Sequence, residues 1–141
     1  RPQATAETIV DGWLHTGDIG YFDEDGFLYL VDRAKDMILR GGENIYCAEV
    51  EGALYTHPAV LETVAFAVPD DRLGEEVGLA VHLKQDAMLD APGLREHVGS
   101  RLAAFKVPRY VWFLSEPLPR NASGKFLRRE LREVLDPASA D

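Results

Sequence analysis

Asp32-Arg33-Ala34-Lys35-Asp36-Met37-Ile38-Leu39-Arg40-Gly41-Gly42-Glu43-Asn44-Ile45 is the stretch that divides this chain. Four charged residues around one alanine follow directly on the apolar run Phe27-Leu28-Tyr29-Leu30-Val31. So abrupt a change marks a domain boundary or hinge. Met37-Ile38-Leu39 then reads as a short strand and Arg40 to Asn44 as a turn, whose glycines allow positive φ. Ile45-Tyr46 returns, giving a small hairpin. Two domains are expected, residues 1–34 and 35–141.

Upstream, residues 1–8 are polar and without period, a frayed lead-in. Asp11-Gly12 is a turn signal, Trp13-Leu14 a short apolar pair, and His15-Thr16-Gly17-Asp18 a tight loop. Two aromatic-rich runs around Asp23-Glu24-Asp25-Gly26 then read as a β-hairpin. Calcium is disfavoured there: an EF-hand loop needs an acid where Tyr21 stands and a glutamate where Asp32 stands. Trp13, Tyr21, Phe22 and Phe27 find no apolar partner within so short a piece and are expected to be exposed.

Downstream, residues 48–55 read as a helix with Val50, Ala53 and Leu54 on one face, ended by His57-Pro58. Thr63-Val64-Ala65-Phe66-Ala67-Val68 is a strand, and residues 77–83 form a second. Pro92 opens a helix carrying Leu94, Val98, Leu102 and Phe105 at i, i+4, i+8 and i+11. Tyr110-Val111-Trp112-Phe113-Leu114 is a third strand, and from Pro137 onward the chain reads as a loose tail. The expected class is α+β: a small three-stranded sheet with flanking helices plus a two-stranded hairpin, preceded by a separate β-hairpin.

At 141 residues, with 46% hydrophobic and 28% charged residues, the chain has enough apolar content for a real core. A net charge of −9 argues against a nucleic-acid surface. The basic group Lys125, Arg128, Arg129 and Arg132 alternates with Glu130 and Glu133, as on the outer face of a helix with i,i+4 partners. One cysteine, Cys47, excludes an internal disulfide. No apolar run approaches the length of a membrane span, and no signal peptide is recognisable, so a cytoplasmic setting is expected. Without a methionine at its start, the chain is expected to be cut from something longer. The four histidines lack metal-ligand spacing, and no serine-hydrolase elbow is present.

Pro119-Arg120-Asn121-Ala122-Ser123-Gly124-Lys125 is a loop, followed by a helix with Leu127, Leu131, Val134 and Leu135 on one face. A mobile, Gly-hinged loop ending in one lysine suits chemistry in which negative charge develops on phosphate and carboxylate oxygens. It is not a Walker A loop, because Pro119 occupies the first glycine position and Phe126 that of the Ser or Thr. Alone, such a lysine is most often a solvated surface group.

Its company changes that reading. Thr16-Gly17-Asp18, then Asp32 to Ile38 with Gly41 to Ile45, then Ala48-Glu49-Val50-Glu51, then Pro119 to Lys125 closely resemble the ANL adenylate-forming superfamily, and within it the acyl-CoA synthetases acting on fatty or related carboxylic acids. Four motifs in register cover nearly the whole chain. The resemblance implies that residues 1–34 end a large N-terminal adenylating domain and that 35–141 form the small mobile lid closing over it. It implies that Asp18 accepts hydrogen bonds from the nucleotide ribose and that Arg33 contacts ribose and phosphate. Lys35 is the implied hinge, and Gly41, Gly42, Glu43 and Asn44 form the loop lining the passage for CoA. Lys125 is the implied lysine of the adenylation step, a position that can be acetylated in related acyl-CoA synthetases. Cys47 departs from the proline common in relatives and reads as a small buried hydrophobe. ATP/AMP, Mg2+ and CoA are the implied cofactors and substrates. The implied partners are the chain's own N-terminal domain and a small carboxylic acid, with no nucleic acid, no membrane span and no metal ligands in this chain. Two alternatives stay open: a lid of an adenylation domain that loads a carrier protein, or a non-catalytic folded module. The isolated chain is expected to be inactive.

Overall fold

The computed structural model describes residues 1–141, which divide into two compact units, residues 1–35 and 36–141. In the first unit Pro2–Thr8 form a helix (α1), where the sequence pattern suggests a periodless lead-in. Pro2 pre-sets the first turn, and local bonds sustain it: Thr5 Oγ1 donates to the Arg1 carbonyl (3.1 Å) and Gln3 Nε2 to Glu7 (3.1 Å). None of these needs an apolar face, and hydrophobic period therefore does not reveal the helix. Ile9–Val10 (β1) and Trp13–Leu14 (β2) pair across Asp11 and Gly12, both at positive φ. Asp18–Phe22 (β3) pairs antiparallel with Leu28–Arg33 (β4), with a bulge between Ile19 and Gly20. Asp23 Oδ1 accepts the Asp25 and Phe27 amides and closes the turn, so that carboxylate serves backbone. No residue of this unit is buried, and Trp13 (76%), Phe22 (70%) and Leu30 (68%) stand open to solvent.

The second unit is built on one long antiparallel ladder, Val60–Asp70 (β7) against Gly74–Leu83 (β8). Tyr110–Phe113 (β9) adds parallel to β8 on the side away from β7. The small hairpin, Ile38–Arg40 (β5) and Glu43–Ile45 (β6), joins β8 through the pair Arg40 and Gly74, and the sheet therefore has five strands. Sequence alone sets the hairpin apart from the three-stranded sheet because a single residue pair makes the junction.

Cys47–Tyr55 (α2) and Ala91–Gly99 (α3) cover one face, over a core that includes Ile38, Val50, Leu54, Ala65, Leu79, Leu94 and Val98. Arg128–Val134 (α4) lies toward the other face, where Leu131 packs with Val64, Phe66, Val68, Ala80, Trp112 and Leu118. Successive β7 side chains point to opposite faces, and because both faces are covered the strand is apolar throughout rather than alternating. Asp90 caps α3 by accepting the Gly93 amide (2.9 Å). The helix stops at Gly99 rather than continuing to Phe105, because Gly and Ser are weaker helix formers and Ser100 Oγ takes up the His97 carbonyl (2.8 Å). Leu102 and Phe105 still pack on the core from the loop that follows. The last residues are not loose. The Asp141 amide donates to the Val111 carbonyl (2.9 Å), and Trp112 Nε1 donates to the Asp136 carbonyl (3.1 Å).

Candidate functional site

The loop at 119–125 is tied shut at its neck. Arg120 and Phe126 form an isolated antiparallel bridge, and the Arg120 guanidinium lies 3.7 Å from the Phe126 ring centroid. Asn121 Oδ1 accepts the amides of Ser123 and Lys125 (2.9 Å each), and the Asn121 amide donates to the Lys125 carbonyl (2.9 Å). Gly124 at φ 79° completes the turn, in a region closed to most side chains. The loop is therefore a rigid lasso rather than a free-swinging hinge. Lys125 is held by its backbone, while its exposed ammonium engages no carboxylate. Any travel of that ammonium over a long distance must come from the unit moving as a body.

One side chain moors this lasso to the sheet. Glu62 Oε2 accepts the Leu118 amide (2.7 Å), and its Oε1 pairs with Arg120 (2.9 Å). Burial alone would raise the Glu62 carboxyl, but the Leu118 amide and the Arg120 guanidinium outweigh it and hold it below its usual 4.5.

The glycine hairpin is equally well fixed, by other anchors. Gly41 (φ 57°) and Gly42 (φ 93°) make a two-residue turn with both positions in the left-handed region, the pattern that matches strand twist in tight hairpins. The Gly41 amide donates to the Leu73 carbonyl (2.8 Å), and the Leu39 amide to Glu75 Oε2 (2.8 Å). Arg40 forks onto the buried Glu76 at 2.6 and 3.1 Å, and this raises the guanidinium's pKa further. Gly41, Gly42, Glu43 and Asn44 themselves stay exposed.

Glu62 pairs with His82 near one end of the β7–β8 ladder, and Asp70 pairs with Gly74 at the other. From Glu62 to Asp70 is eight residue steps, or ~26 Å at ~3.3 Å per residue. The lysine loop and the glycine hairpin are thus moored at opposite ends of one rigid ladder.

In the first unit Asp18 and Arg33 are cross-strand partners, with Arg33 Nε 3.2 Å from Asp18 Oδ1. The pair is half-open to solvent, which leaves carboxylate and guanidinium edges free for a hydroxyl-rich ligand. Lys35 is exposed in the short 3₁₀ turn Ala34–Asp36 and is the last residue of the first unit. Cys47 is fully buried, and its Sγ contacts the Asp36 carbonyl (2.8 Å).

The sequence profile of the AMP-binding enzyme C-terminal domain matches residues 49–125. The chain belongs to this family. A 2-succinylbenzoate–CoA ligase of Geobacillus kaustophilus is 50% identical over 96% of this chain and 27% of its own length. A long-chain-fatty-acid–CoA ligase of Bacillus subtilis is 51% identical over 94% of the chain and 24% of its own length. Among solved structures, the o-succinylbenzoate CoA synthetase MenE of Bacillus subtilis, in complex with the acyl-adenylate intermediate OSB-AMP, superposes with a TM-score of 0.86. It is 42% identical, over 94% of this chain and 27% of that one. The chain thus spans about a quarter of the length of the relatives it matches. Its α+β architecture is that of the AMP-binding C-terminal domain.

Within this domain the expected outer basic face is only partly realised. Arg129 does pair with Glu133 at i,i+4 (2.7 Å). Arg128 instead turns inward: its Nη2 contacts both oxygens of Glu51 (2.8 and 2.9 Å), and its Nη1 lies 3.6 Å from Asp36 Oδ2. Burial alone would lower the Arg128 pKa, and Glu51 outweighs it so that the pKa rises. Arg128 therefore ties the segment after Lys125 to α2 and to the residue that follows Lys35. Arg40, Glu62, Glu76, Arg120 and Arg128 are the positioning residues that sequence reading passes over, since the charged group each grips most closely lies 36 or more residues away in the chain. No helix is long and apolar enough to cross a membrane.

Proposed function

We propose that this chain is the lid of an ATP-dependent carboxylic acid–CoA ligase, together with the last strands of its larger domain. In the first half-reaction a carboxylate oxygen attacks the α-phosphate of ATP, forming the acyl-adenylate and expelling pyrophosphate. In the second the CoA thiol attacks the acyl carbonyl, AMP leaves, and the thiol loses its proton. Lys125 bridges the carboxylate and the α-phosphate, where negative charge builds. Asp18 takes the ribose hydroxyls, and Arg33 orients it while facing ribose and phosphate. The unit then turns about Lys35, withdraws Lys125, and brings the exposed hairpin 41–44 to line the passage for the pantetheine arm, which side-chain-free glycines let approach closely.

The observation that carries this reading is that the two loops are moored at opposite ends of the β7–β8 ladder, their anchors ~26 Å apart at ~3.3 Å per residue. Two rigid tools that far apart serve one reaction centre only in turn. The exposed apolar side chains of the first unit fit a remnant of a larger sheet, in keeping with relatives about four times as long. No three acidic, histidine or cysteine side chains cluster as a metal set. Magnesium accompanying ATP needs only one or two carboxylates beside the phosphates, and here it is assigned to the phosphates and the larger domain.

The test uses the full-length protein that carries this chain. Acid-dependent release of pyrophosphate without CoA, followed by release of AMP and thioester on adding CoA, is expected. Lys125→Ala should slow the first phase on the order of 10²- to 10³-fold while leaving the discharge of supplied acyl-adenylate intact. Transfer to a carrier protein but not to CoA would favour the other acceptor class. Equal loss of both phases in that variant would refute the division of labour.

A further inference from the structure

We propose that Glu76 is a positioning residue for the thioester-forming half-reaction, acting through Arg40 on the glycine hairpin; this rests on the function proposed above. Glu76 is 2% exposed and points between two guanidinium groups. Arg40 grips both its oxygens, and Arg109 Nη1 stands 3.5 Å from Oε1. Arg109 also pairs with Asp70 Oδ2 (2.9 Å), whose Oδ1 accepts the amides of Arg72 and Leu73. The Leu73 carbonyl in turn accepts the Gly41 amide. The contacts close a ring that starts and ends at the hairpin: Arg40, Glu76, Arg109, Asp70, Leu73, Gly41.

A buried ion pair is a poor way to stabilise a fold, because desolvation offsets most of the attraction and apolar replacements are often as stable. A fork onto a fixed carboxylate does set direction, since both guanidinium edges must be met at once. Arg40 immediately precedes the turn, so its orientation sets the plane of Gly41 and Gly42. Glu76 sits at the ladder end opposite Glu62, and its influence on the lysine loop should be slight.

The experiment compares Glu76→Gln and the paired apolar variant Arg40→Met/Glu76→Leu with the unmodified full-length protein. Single-turnover acyl-adenylate formation and discharge of that adenylate by CoA are measured separately, with hydrogen exchange of peptides covering 39–44. Adenylation should stay within about threefold, while discharge falls on the order of 10- to 100-fold through kcat, as expected for a reacting centre misplaced by about 1 Å. Hairpin amides should exchange faster, with the β7–β8 amides unchanged. Apolar replacement of a buried ion pair is often neutral for stability, so a purely structural role predicts normal discharge in that variant, whose thermal melt verifies its fold. Normal discharge, or equal loss of both halves, overturns the proposal. An unmodified protein that forms adenylate yet never discharges it to CoA overturns the parent reading, and its own CoA rate tells that failure apart from one at Glu76.

Discussion

Replacing Glu62 with alanine removes the mooring of the lysine loop, and the cost follows from two contacts. The Leu118 amide, in a residue only 2% exposed, loses its acceptor. An unmet buried N–H costs about 1–3 kcal/mol. The pair with Arg120, whose side chain is 42% exposed, adds less than about 1 kcal/mol after solvent screening. A loss of about 1–4 kcal/mol is therefore expected, by the sum of those two contributions. Glu62→Gln retains one carbonyl acceptor and should lose on the order of 1 kcal/mol. Urea unfolding followed by the fluorescence of buried Trp112 reads both, with an unchanged m-value. The pH dependence has a definite sign. The folded carboxyl titrates below its unfolded value of 4.5, so its contribution is complete above that value and disappears as pH falls through the folded one. Variant and parent should then converge in acid. A Glu62→Ala chain within about 0.5 kcal/mol of the parent at neutral pH would refute the mooring argument.

Other expectations follow from single contacts. Lys125→Ala should cost the adenylation half-reaction on the order of 10²- to 10³-fold, with the urea midpoint unmoved, because the ammonium engages nothing. Gly78→Ala places a Cβ 2.5 Å from Val68 Cγ2 and 3.1 Å from Phe66 Cε2. Overpacking of about 1–3 kcal/mol should appear in the same unfolding assay. Burial, with help from His97 and Arg101, holds His57 below its usual 6.5. The unfolded chain then binds the proton more readily, and stability should decline as pH drops through 6.5. His57→Gln should flatten that decline in a thermal-melt series from pH 7.5 to 5.5.

Strands β7 and β8 and helix α2 are legible in the sequence because their burial is written as apolar runs and periods. The existence of the lysine loop is legible too, since Pro, Asn, Ser and Gly leave no other local choice. Its mooring is not, because what ties the loop to the sheet is Glu62, 58 residues from Arg120. The same distance problem hides Arg40 with Glu76, 36 residues apart, and Arg128 with Glu51, 77 apart. Local pattern sees Arg129 with Glu133 and extends that geometry to Arg128, whose partner waits on another helix. The tail reads as polar and aimless in one dimension, yet its backbone finds the open edge of β9.

The length of one strand also acts as a clock. With the charge-bearing loop moored at one end of β7 and the glycine turn at the other, the proposed function has a nucleotide and a thiol served in turn rather than together. Sequence of events is thereby written into a ruler rather than into any rate constant. Shortening the ruler by two residues, which preserves the facing of every side chain, would leave each tool whole and blur the order in which they are used.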